Sequence, residues 1–197
     1  MTNAPHLLPG SRGGWKYGDI TAVDSLAHDG LTDAADQISM GSLTDAGNDA
    51  LGISREDQDA CAAASHQRAA SARDNLQREI ASVEWTDRRG RQHAVTTDEG
   101  VREDTTADTL AALKPAFSKE GTITAGNSSP LSDGAAAVVV VSRAWAEEHG
   151  ANILATIGSA GQVAGPDNSL HSQPARAITE ALERSGMESS ELDAVSY

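Results

Sequence analysis

The residues that could act as nucleophiles or metal ligands are few and poorly spaced for either task. The chain has one cysteine, Cys61, and its six histidines are His6, His28, His66, His93, His149 and His171. No two histidines stand at the spacing of a metal-ligand pair, and on a helix Cys61 and His66 point to different sides. Cys61 follows several acidic residues and no cationic neighbour, so we expect a small buried hydrophobic residue there. The sequence therefore predicts no metal site and does not favour a cysteine nucleophile.

Other catalytic motifs give equally little support. A Ser-His-Asp triad stays open on spacing alone, but the chain has no Gly-x-Ser-x-Gly segment in which the serine could sit. It also has no Gly-x-Gly-x-x-Gly motif and no P-loop. The glycine-rich residues 10–14 follow no strand pattern, so we do not expect a dinucleotide there.

The clearest functional signal is a loop-like stretch near the middle of the chain, residues 122–129, with the sequence TITAGNSS. Glycine allows a backbone to pass close to another group, and small hydroxyls with one Asn add donors and acceptors without bulk. This composition suits a loop held against a ligand by rigid neighbours. A tight turn between a helix and a buried strand would explain the same composition.

Upstream of this loop, Arg102 lies beside an acidic run. Its guanidinium could meet a phosphate as a fork-shaped donor. A surface ion pair with Glu99 or Glu103 is the simpler alternative.

Composition excludes several classes of partner. The net charge of −14 over 197 residues argues against a nucleic-acid partner, which would need a basic stripe. The single cysteine allows no internal disulfide and suits a cytoplasmic protein. No apolar run approaches the ~20 residues of a membrane span, and the polar first residues do not resemble a signal peptide.

Periodicity and turn residues predict the elements that would hold these groups. Residues 1–19 form an arm without periodicity, and glycines, prolines and N-cap residues mark the later boundaries. Helices are predicted at 20–31, 42–51, from Ser54 to about Asn75, at 105–113 with Asp104 as cap, at 143–149 and at 174–185. Strands are predicted at 77–85, 91–97, 135–141, 153–163 and 192–195, the first two as a hairpin.

Several ordered motifs together resemble one family. The longest match runs through Asp98-Glu99-Gly100-Val101-Arg102, Lys114-Pro115-Ala116-Phe117, Gly121-Thr122-x-Thr124-Ala125-Gly126-Asn127-Ser128-Ser129 and Asp133-Gly134-Ala135-Ala136-Ala137. Flanking matches are Asp29-Gly30-Leu31, Met40-Gly41, Ile53-Ser54-Arg55-Glu56-x-Gln58-Asp59 and Pro174-Ala175-x-Ala177-Ile178. They resemble the thiolases, which are acyl-CoA acyltransferases, and they cover essentially the whole chain in register.

The resemblance implies an α/β, thiolase-like fold that is incomplete: a loop domain with parts of the two βαβαβ core domains. It assigns residues 1–132, including the arm 1–19, to the CoA-binding loop domain. Residues 133–151 would end the N-terminal thiolase domain, and residues 152–197 would begin the C-terminal one.

The resemblance also implies which groups are present. CoA-contact positions of the family fall on Leu31, Arg102, Thr109, Phe117, Ala125, Ser129 and Leu131. Arg102 would approach the nucleotide phosphates or the adenine. Leu31, Phe117 and Leu131 would wall the adenine and the pantetheine, and Ser129 would hydrogen-bond the pantetheine.

The catalytic residues of the family are expected outside this sequence. The nucleophilic Cys would precede Met1, whereas the His base and the second catalytic Cys would follow residue 197, so no catalytic residue is assigned here. The CoA thioester is a substrate, and no cofactor is implied. Ser39 stands where short-chain biosynthetic members usually carry His, which leaves the acyl-chain preference open.

Two functions remain open at this stage. The chain is either a segment of an acetyl-CoA acyltransferase that works with a complementary thiolase chain or a longer product, or a non-catalytic CoA-binding or remnant module. The intact enzyme is expected to be a homo-oligomer that acts on CoA and acyl-CoA, with neither nucleic acid nor membrane as partner.

Overall fold

The computed structural model describes residues 1–196 of the chain. Its elements, in chain order, are β1 (His6–Leu7), a 3-10 turn (Ser11–Gly13), β2 (Val23–Asp24), a π-helical turn (Leu26–Gly30), α1 (Met40–Leu51), α2 (Arg55–Ser71), α3 (Arg73–Gln77), β3 (Val83–Thr86), β4 (Gln92–Val95), α4 (Ala107–Ala111), α5 (Arg143–Glu148), α6 (Gln173–Ser185) and a second 3-10 turn (Ser189–Glu191).

The chain divides into two compact units. One consists of Met1–Ala35 together with Ser132–Tyr197, and the other is Asp36–Leu131. The assignment of residues 1–132, 133–151 and 152–197 to three thiolase domains stays a prediction.

The unit Asp36–Leu131 is built around α2. Ser54 caps the first turn of this helix by accepting the N–H of Asp57, and Glu56 and Asp57 add favourable charge there. Gly52, with φ 67°, ends the preceding helix α1 in a left-handed conformation that suits glycine. Helix α2 packs against α4, and the buried apolar side chains of this unit are Ala63, Leu110 and Ile123.

The predicted hairpin is confirmed, although its strands are shorter than expected. Val83 pairs with Val95 and Thr86 with Gln92 in an antiparallel ladder. Asp87 closes the turn, because its carboxylate accepts the backbone N–H groups of Arg89 and Arg91 at 2.8 and 2.9 Å.

The other unit begins with a short antiparallel pair, in which His6 lies opposite Asp24. The helix predicted at 20–31 is therefore wrong: β2 and the π-helical turn occupy this region. The carboxylate of Asp24 accepts the N–H of Leu26 at 2.9 Å, which favours a turn where the helix was expected.

The strands predicted at 135–141, 153–163 and 192–195 are absent from the described residues. A strand needs a hydrogen-bonded neighbour, and neither 135–141 nor 153–163 has a ladder partner in this part of the chain. The predicted burial is also wrong, because Val138 and Val139 are 86% and 89% exposed. Residues 160–162 instead lie against α6, where the N–H of Gln162 donates to Glu180 and Arg184 donates to the carbonyl of Ala160.

Two details of the predicted helices also need correction. Helix α2 ends at Ser71 rather than near Asn75, and Thr106, not Asp104, caps the shortened helix α4. Cys61 is exposed, contrary to the prediction of a buried residue. The buried side of α2 carries Asp59 and Ala63, and Cys61 lies two residues from each, about 200° around the helix.

Candidate functional site

The loop at residues 122–129 is fixed by a buried carboxylate on α2. Asp59 is only 2% exposed. One of its oxygens, Oδ2, accepts Arg55 Nε at 2.7 Å, and the other, Oδ1, accepts the side-chain amide of Asn127 at 2.9 Å. Because a buried charge needs both a counter-ion and hydrogen bonds, this arrangement strongly favours one position for Asn127.

Arg55 joins the same carboxylate to the end of α4. Its Nη2 donates to the carbonyl oxygens of Leu110 at 2.6 Å and Leu113 at 3.2 Å. A cation near the carbonyl groups at the end of a helix is favourable. One guanidinium thus connects α2, α4 and, through Asp59, the loop.

A second carboxylate holds the start of the loop. Asp45 on α1 accepts the backbone N–H groups of Thr122 at 2.9 Å and Ile123 at 3.1 Å. The hydroxyl of Thr122 accepts Gln58 Nε2 at 2.9 Å. A Cβ on Gly121 would overlap the Asp45 carboxylate, so glycine is needed for this close approach.

The middle of the loop is turned back on itself around Thr124, which is fully buried. The Thr124 N–H donates to Asn127 Oδ1 at 2.7 Å, and Ser128 Oγ donates to the Thr124 carbonyl at 2.8 Å. Ala125 and Ser129 remain exposed. The loop therefore presents these two predicted site residues on a rigidly held backbone.

The side chain of Phe117, another predicted site residue, packs against the first turn of α1. A Cβ on Gly41 would overlap the Phe117 ring, so the ring packs directly over the helix backbone. Phe117 nevertheless keeps 46% of its surface exposed. It can offer an apolar wall to a ligand, as the resemblance implies.

The two remaining polar site residues are held by backbone hydrogen bonds. The N–H of Arg102 donates to His66 Nδ1 on α2 at 3.2 Å. Glu103, one of the two acids considered as ion-pair partners for Arg102, pairs with Arg73 at 3.4 Å. Thr109 and Thr106 cap α4 reciprocally, because the hydroxyl of each accepts the N–H of the other.

The two predicted leucines, Leu31 and Leu131, have no comparable contact with this scaffold among the contacts described above. Leu131 is 63% exposed and is the last residue of its unit. Leu31 follows the π-helical turn and belongs to the other unit. The contacts above therefore connect Arg102, Thr109, Phe117, Ala125 and Ser129 to one scaffold, whereas Leu31 is outside it.

The residues that build this scaffold received no role from the sequence. Arg55 and Asp59 stand in a matched family motif, but only the structure shows that they hold the loop. Their four-residue spacing, which places them on one side of a helix, was the available signal. Asp45 is joined to Thr122 across 77 positions, and no local pattern predicts such a pair.

A cavity of about 620 Å³ lies between α1 and the segment 118–122. Asp45, Asp49 and Glu120 contribute carboxylates to it, and none of the seven predicted CoA-contact residues lines it. Because acidic walls are unfavourable for a phosphate-bearing ligand, we do not assign it as the CoA site. Within the described residues, no group of three or more His, Cys, Asp or Glu side chains could hold a metal ion.

Comparisons with known proteins identify the family to which the chain belongs. Residues 1–144 match the family model described as "Thiolase, N-terminal domain". Proteins named "Probable acetyl-CoA acetyltransferase" from Mycolicibacterium smegmatis and Mycobacterium tuberculosis are each 52% identical over 197 residues, which is 99% of this chain and 51% and 50% of theirs. The chain thus spans about half the length of the curated relatives that it matches.

Solved structures give the same result. The chain superposes on acetyl-CoA acetyltransferase from Bacillus anthracis with a TM-score of 0.87 and 34% identity, covering 96% of this chain and 48% of that one. For the enzyme from Syntrophomonas wolfei the TM-score is 0.83, the identity 29%, and the coverage 98% and 48%. The predicted fold, thiolase-like and incomplete, is confirmed. The chain belongs to the thiolase family.

Proposed function

We propose that this chain supplies the CoA-binding part of a thiolase-type acyltransferase, which transfers an acyl group between acyl-CoA and CoA or acetyl-CoA. The observation that carries the proposal is the Asp59–Asn127 clamp. It holds residues 122–129 in a conformation in which Ala125 and Ser129 are exposed. A loop held in this way pays little ordering entropy when a ligand binds.

The predicted contacts have the chemistry that CoA requires. Arg102 offers a guanidinium to the nucleotide part of CoA, where the phosphates are anionic. The exposed Phe117 ring offers an apolar surface, and the Ser129 hydroxyl offers a hydrogen bond to the amide-containing pantetheine arm. Because the net charge of the chain is −14, no general basic surface attracts the anionic ligand, and we attribute binding to these local groups.

The exposed surface supports a role as part of a larger fold. The chain of 20.4 kDa has 15793 Å² of accessible surface, whereas a folded monomer of that mass exposes roughly 8,800 Å². Large apolar side chains are among the exposed residues, including Val138, Val139, Leu154 and Ile157. We infer that further thiolase sequence covers these side chains, on the same or a complementary chain, and that the complete enzyme is a homo-oligomer.

By the family resemblance, the chemical step belongs to residues outside this sequence. A cysteine thiolate would accept the acyl group, and a histidine and a second cysteine would move protons. This chain would bind and orient the CoA portion, so that the thioester reaches that thiolate. We therefore expect residues 1–197 to be inactive alone. Within residues 1–196, no helix combines the length and the apolar composition needed to cross a membrane.

A cytoplasmic location is part of the proposal and rests on the single cysteine of the sequence.

A chimera tests this function. Residues 1–197 replace the matched half of the Mycolicibacterium smegmatis relative, which is 52% identical, and thiolysis of acetoacetyl-CoA is measured. We expect an active chimera in which Arg102→Met raises the KM for CoA about ten-fold, because a charge-assisted contact is worth ~1.5 kcal/mol or more. Arg78→Met, at an exposed position near the hairpin, is the control and should leave the KM unchanged.

The alternative is a CoA-binding or remnant module without any role in acyl transfer. The same chimera separates the two functions. A folded chimera that binds CoA but has no thiolysis activity favours the module. A folded chimera whose CoA affinity is unaffected by Arg102→Met contradicts the proposed binding face.

A further inference from the structure

His66 on α2 holds the backbone of Arg102. Its Nδ1 atom accepts the Arg102 N–H at 3.2 Å, across 36 positions of the chain. The next residue on the helix, Gln67, donates Nε2 to the carbonyl oxygen of Thr105 at 3.3 Å. Between these two points, the Thr105 N–H donates to the Arg102 carbonyl at 3.2 Å, closing a turn. Two adjacent side chains of α2 therefore secure both ends of the segment 102–105.

The two ends of this segment differ in their surroundings. Thr105 is buried, with 7% of its surface exposed, so packing also holds that end. Arg102 is exposed, and the hydrogen bond to His66 ties its main chain to α2. A fixed backbone favours ligand binding by a long side chain such as arginine, because less conformational entropy is then lost when the side chain is ordered on the ligand.

We propose that His66 is a positioning residue for Arg102, which it places to contact the nucleotide part of CoA. The ligand is thus a nucleotide with phosphate groups that carries either a thioester, as in acyl-CoA, or a free thiol, as in CoA. His66 affects its binding only through Arg102. This inference rests on the proposed function, since it takes the Arg102 guanidinium as a CoA contact. What it requires of His66 is an acceptor atom at the Nδ1 position, with the ring proton on Nε2.

Two substitutions separate the acceptor from the shape of the side chain. His66→Asn places the amide oxygen on Cγ, at the branch where histidine carries Nδ1, so an acceptor remains. His66→Leu places a methyl group on the same branch, so the acceptor is lost while the bulk is similar. Circular dichroism of both variants verifies that α2 is still folded.

The measurements use the ¹⁵N-labelled chain 1–197. The first is the hydrogen-exchange rate of the Arg102 amide without ligand, and the second is the CoA dissociation constant from amide shifts. We expect His66→Leu to speed that exchange and to weaken CoA binding roughly 2- to 10-fold, the value of one hydrogen bond. His66→Asn should restore both quantities to near the wild-type values.

Arg102→Met provides the decisive background. If His66 acts through the guanidinium, His66→Leu should cause no further loss of CoA affinity once Arg102 is Met. Equal losses in the Asn and Leu variants, an unchanged affinity in His66→Leu, or a loss that persists in the Arg102→Met background would each overturn the inference. A wild-type chain that shows no CoA-dependent shift would overturn the proposed function itself, and this inference with it.

Discussion

The side-chain amide of Asn127 donates to Oδ1 of Asp59 at 2.9 Å, joining two residues that are 68 positions apart. The same asparagine accepts the N–H of Thr124 and donates to the carbonyl of Thr122. One side chain thus ties Thr122 and Thr124 to each other and to α2. The outward placement of Ala125 depends on this contact, and so does the proposed CoA face.

Removing this clamp should destabilise the unit Asp36–Leu131. Asn127→Ala leaves the Thr124 N–H and one Asp59 oxygen without their partner, at a cost of about 1–3 kcal/mol in the free energy of unfolding. Urea unfolding of the wild type and the variant measures this difference. The control is Asn75→Ala at an exposed position of α3, which should change stability by less than ~0.5 kcal/mol. Equal effects at the two positions would contradict the role given to Asn127.

Gly41→Ala should lower stability, although alanine is normally the better helix residue by about 1 kcal/mol. The new Cβ would overlap the Phe117 ring and force it off the first turn of α1. Thermal unfolding measures the loss. In a Phe117→Ala background the overlap is gone, and there Gly41→Ala should stabilise the chain. A destabilising effect that persists without the Phe117 ring would show that the close contact is not its cause.

Acid should loosen the β3–β4 hairpin through Asp87. The backbone N–H of Arg91 is the largest of the effects that lower the pKa of Asp87 below its ordinary 3.8, followed by the hydrogen bond with His93. Because the folded state has the lower pKa, the stabilisation is complete above pH ~3.8 and is lost as the pH falls through the lowered value.

The measurement is an NMR acid titration of the amides of Val83 and Val95, which face each other in the ladder. We expect their shifts to follow the protonation of Asp87. In Asp87→Asn this low-pH transition should disappear, and above pH ~3.8 the hairpin should be weaker than that of the wild type. A transition that survives the substitution would assign the acid sensitivity to other groups.

Residues 1–197 alone should show no thiolysis of acetoacetyl-CoA. Cys61 is the one cysteine of the chain and is exposed on α2. It is the seventh residue of α2 and so lies away from the helix N-terminus, which would activate a thiolate. Release of acetyl-CoA is the measurement, with Cys61→Ser as the matched variant. Turnover in the wild-type chain that this substitution abolishes would show that the chain has its own nucleophile.

The exposed valines of residues 138–141 should make the isolated chain prone to aggregation. Val138 and Val139 are 86% and 89% exposed, and apolar segments with unpaired backbone groups associate with one another. Val139→Lys should raise the solubility of the isolated chain, measured by light scattering. In the chimera the same change should reduce folded yield, since there the side chain would be covered. A substitution that helps equally in both contexts would contradict that coverage.

Local signals predicted the parts of the fold that are determined locally. Ser54 caps the helix that was predicted to begin there, and Gly52 ends the helix predicted at 42–51. The two strands predicted as a hairpin pair with each other, and Asp87 lies in the turn between them. The strands at 135–141 and 153–163 failed because a strand depends on its neighbours, and the part of the chain that the structure describes offers them none. An apolar run indicates that a segment is buried in the folded protein, but it does not indicate whether the residues that pack over it belong to the same sequence.

The candidate site divides in a similar way. The family motifs indicated Phe117, Ala125 and Ser129, and the structure places all three, at least partly exposed, on one scaffold. The buried groups that hold them, Asp45 and Asp59, act across long separations in sequence. Cys61 was expected to be buried because of its residue type. The buried face of α2 instead carries Asp59, whose charge is neutralised by Arg55, and Cys61 lies on another face.

A CoA titration of the ¹⁵N-labelled chain tests the proposed binding face most directly. We expect weak, saturable binding, because the chain spans only about half the length of its relatives. The amide shifts should be concentrated at Arg102, Ala125 and Ser129. Arg102→Met should weaken the binding further. The amide of Asp49, at the acidic cavity, should not respond to CoA in either protein. Shifts confined to that cavity, or no shifts at all, would contradict the assignment of the CoA-binding face.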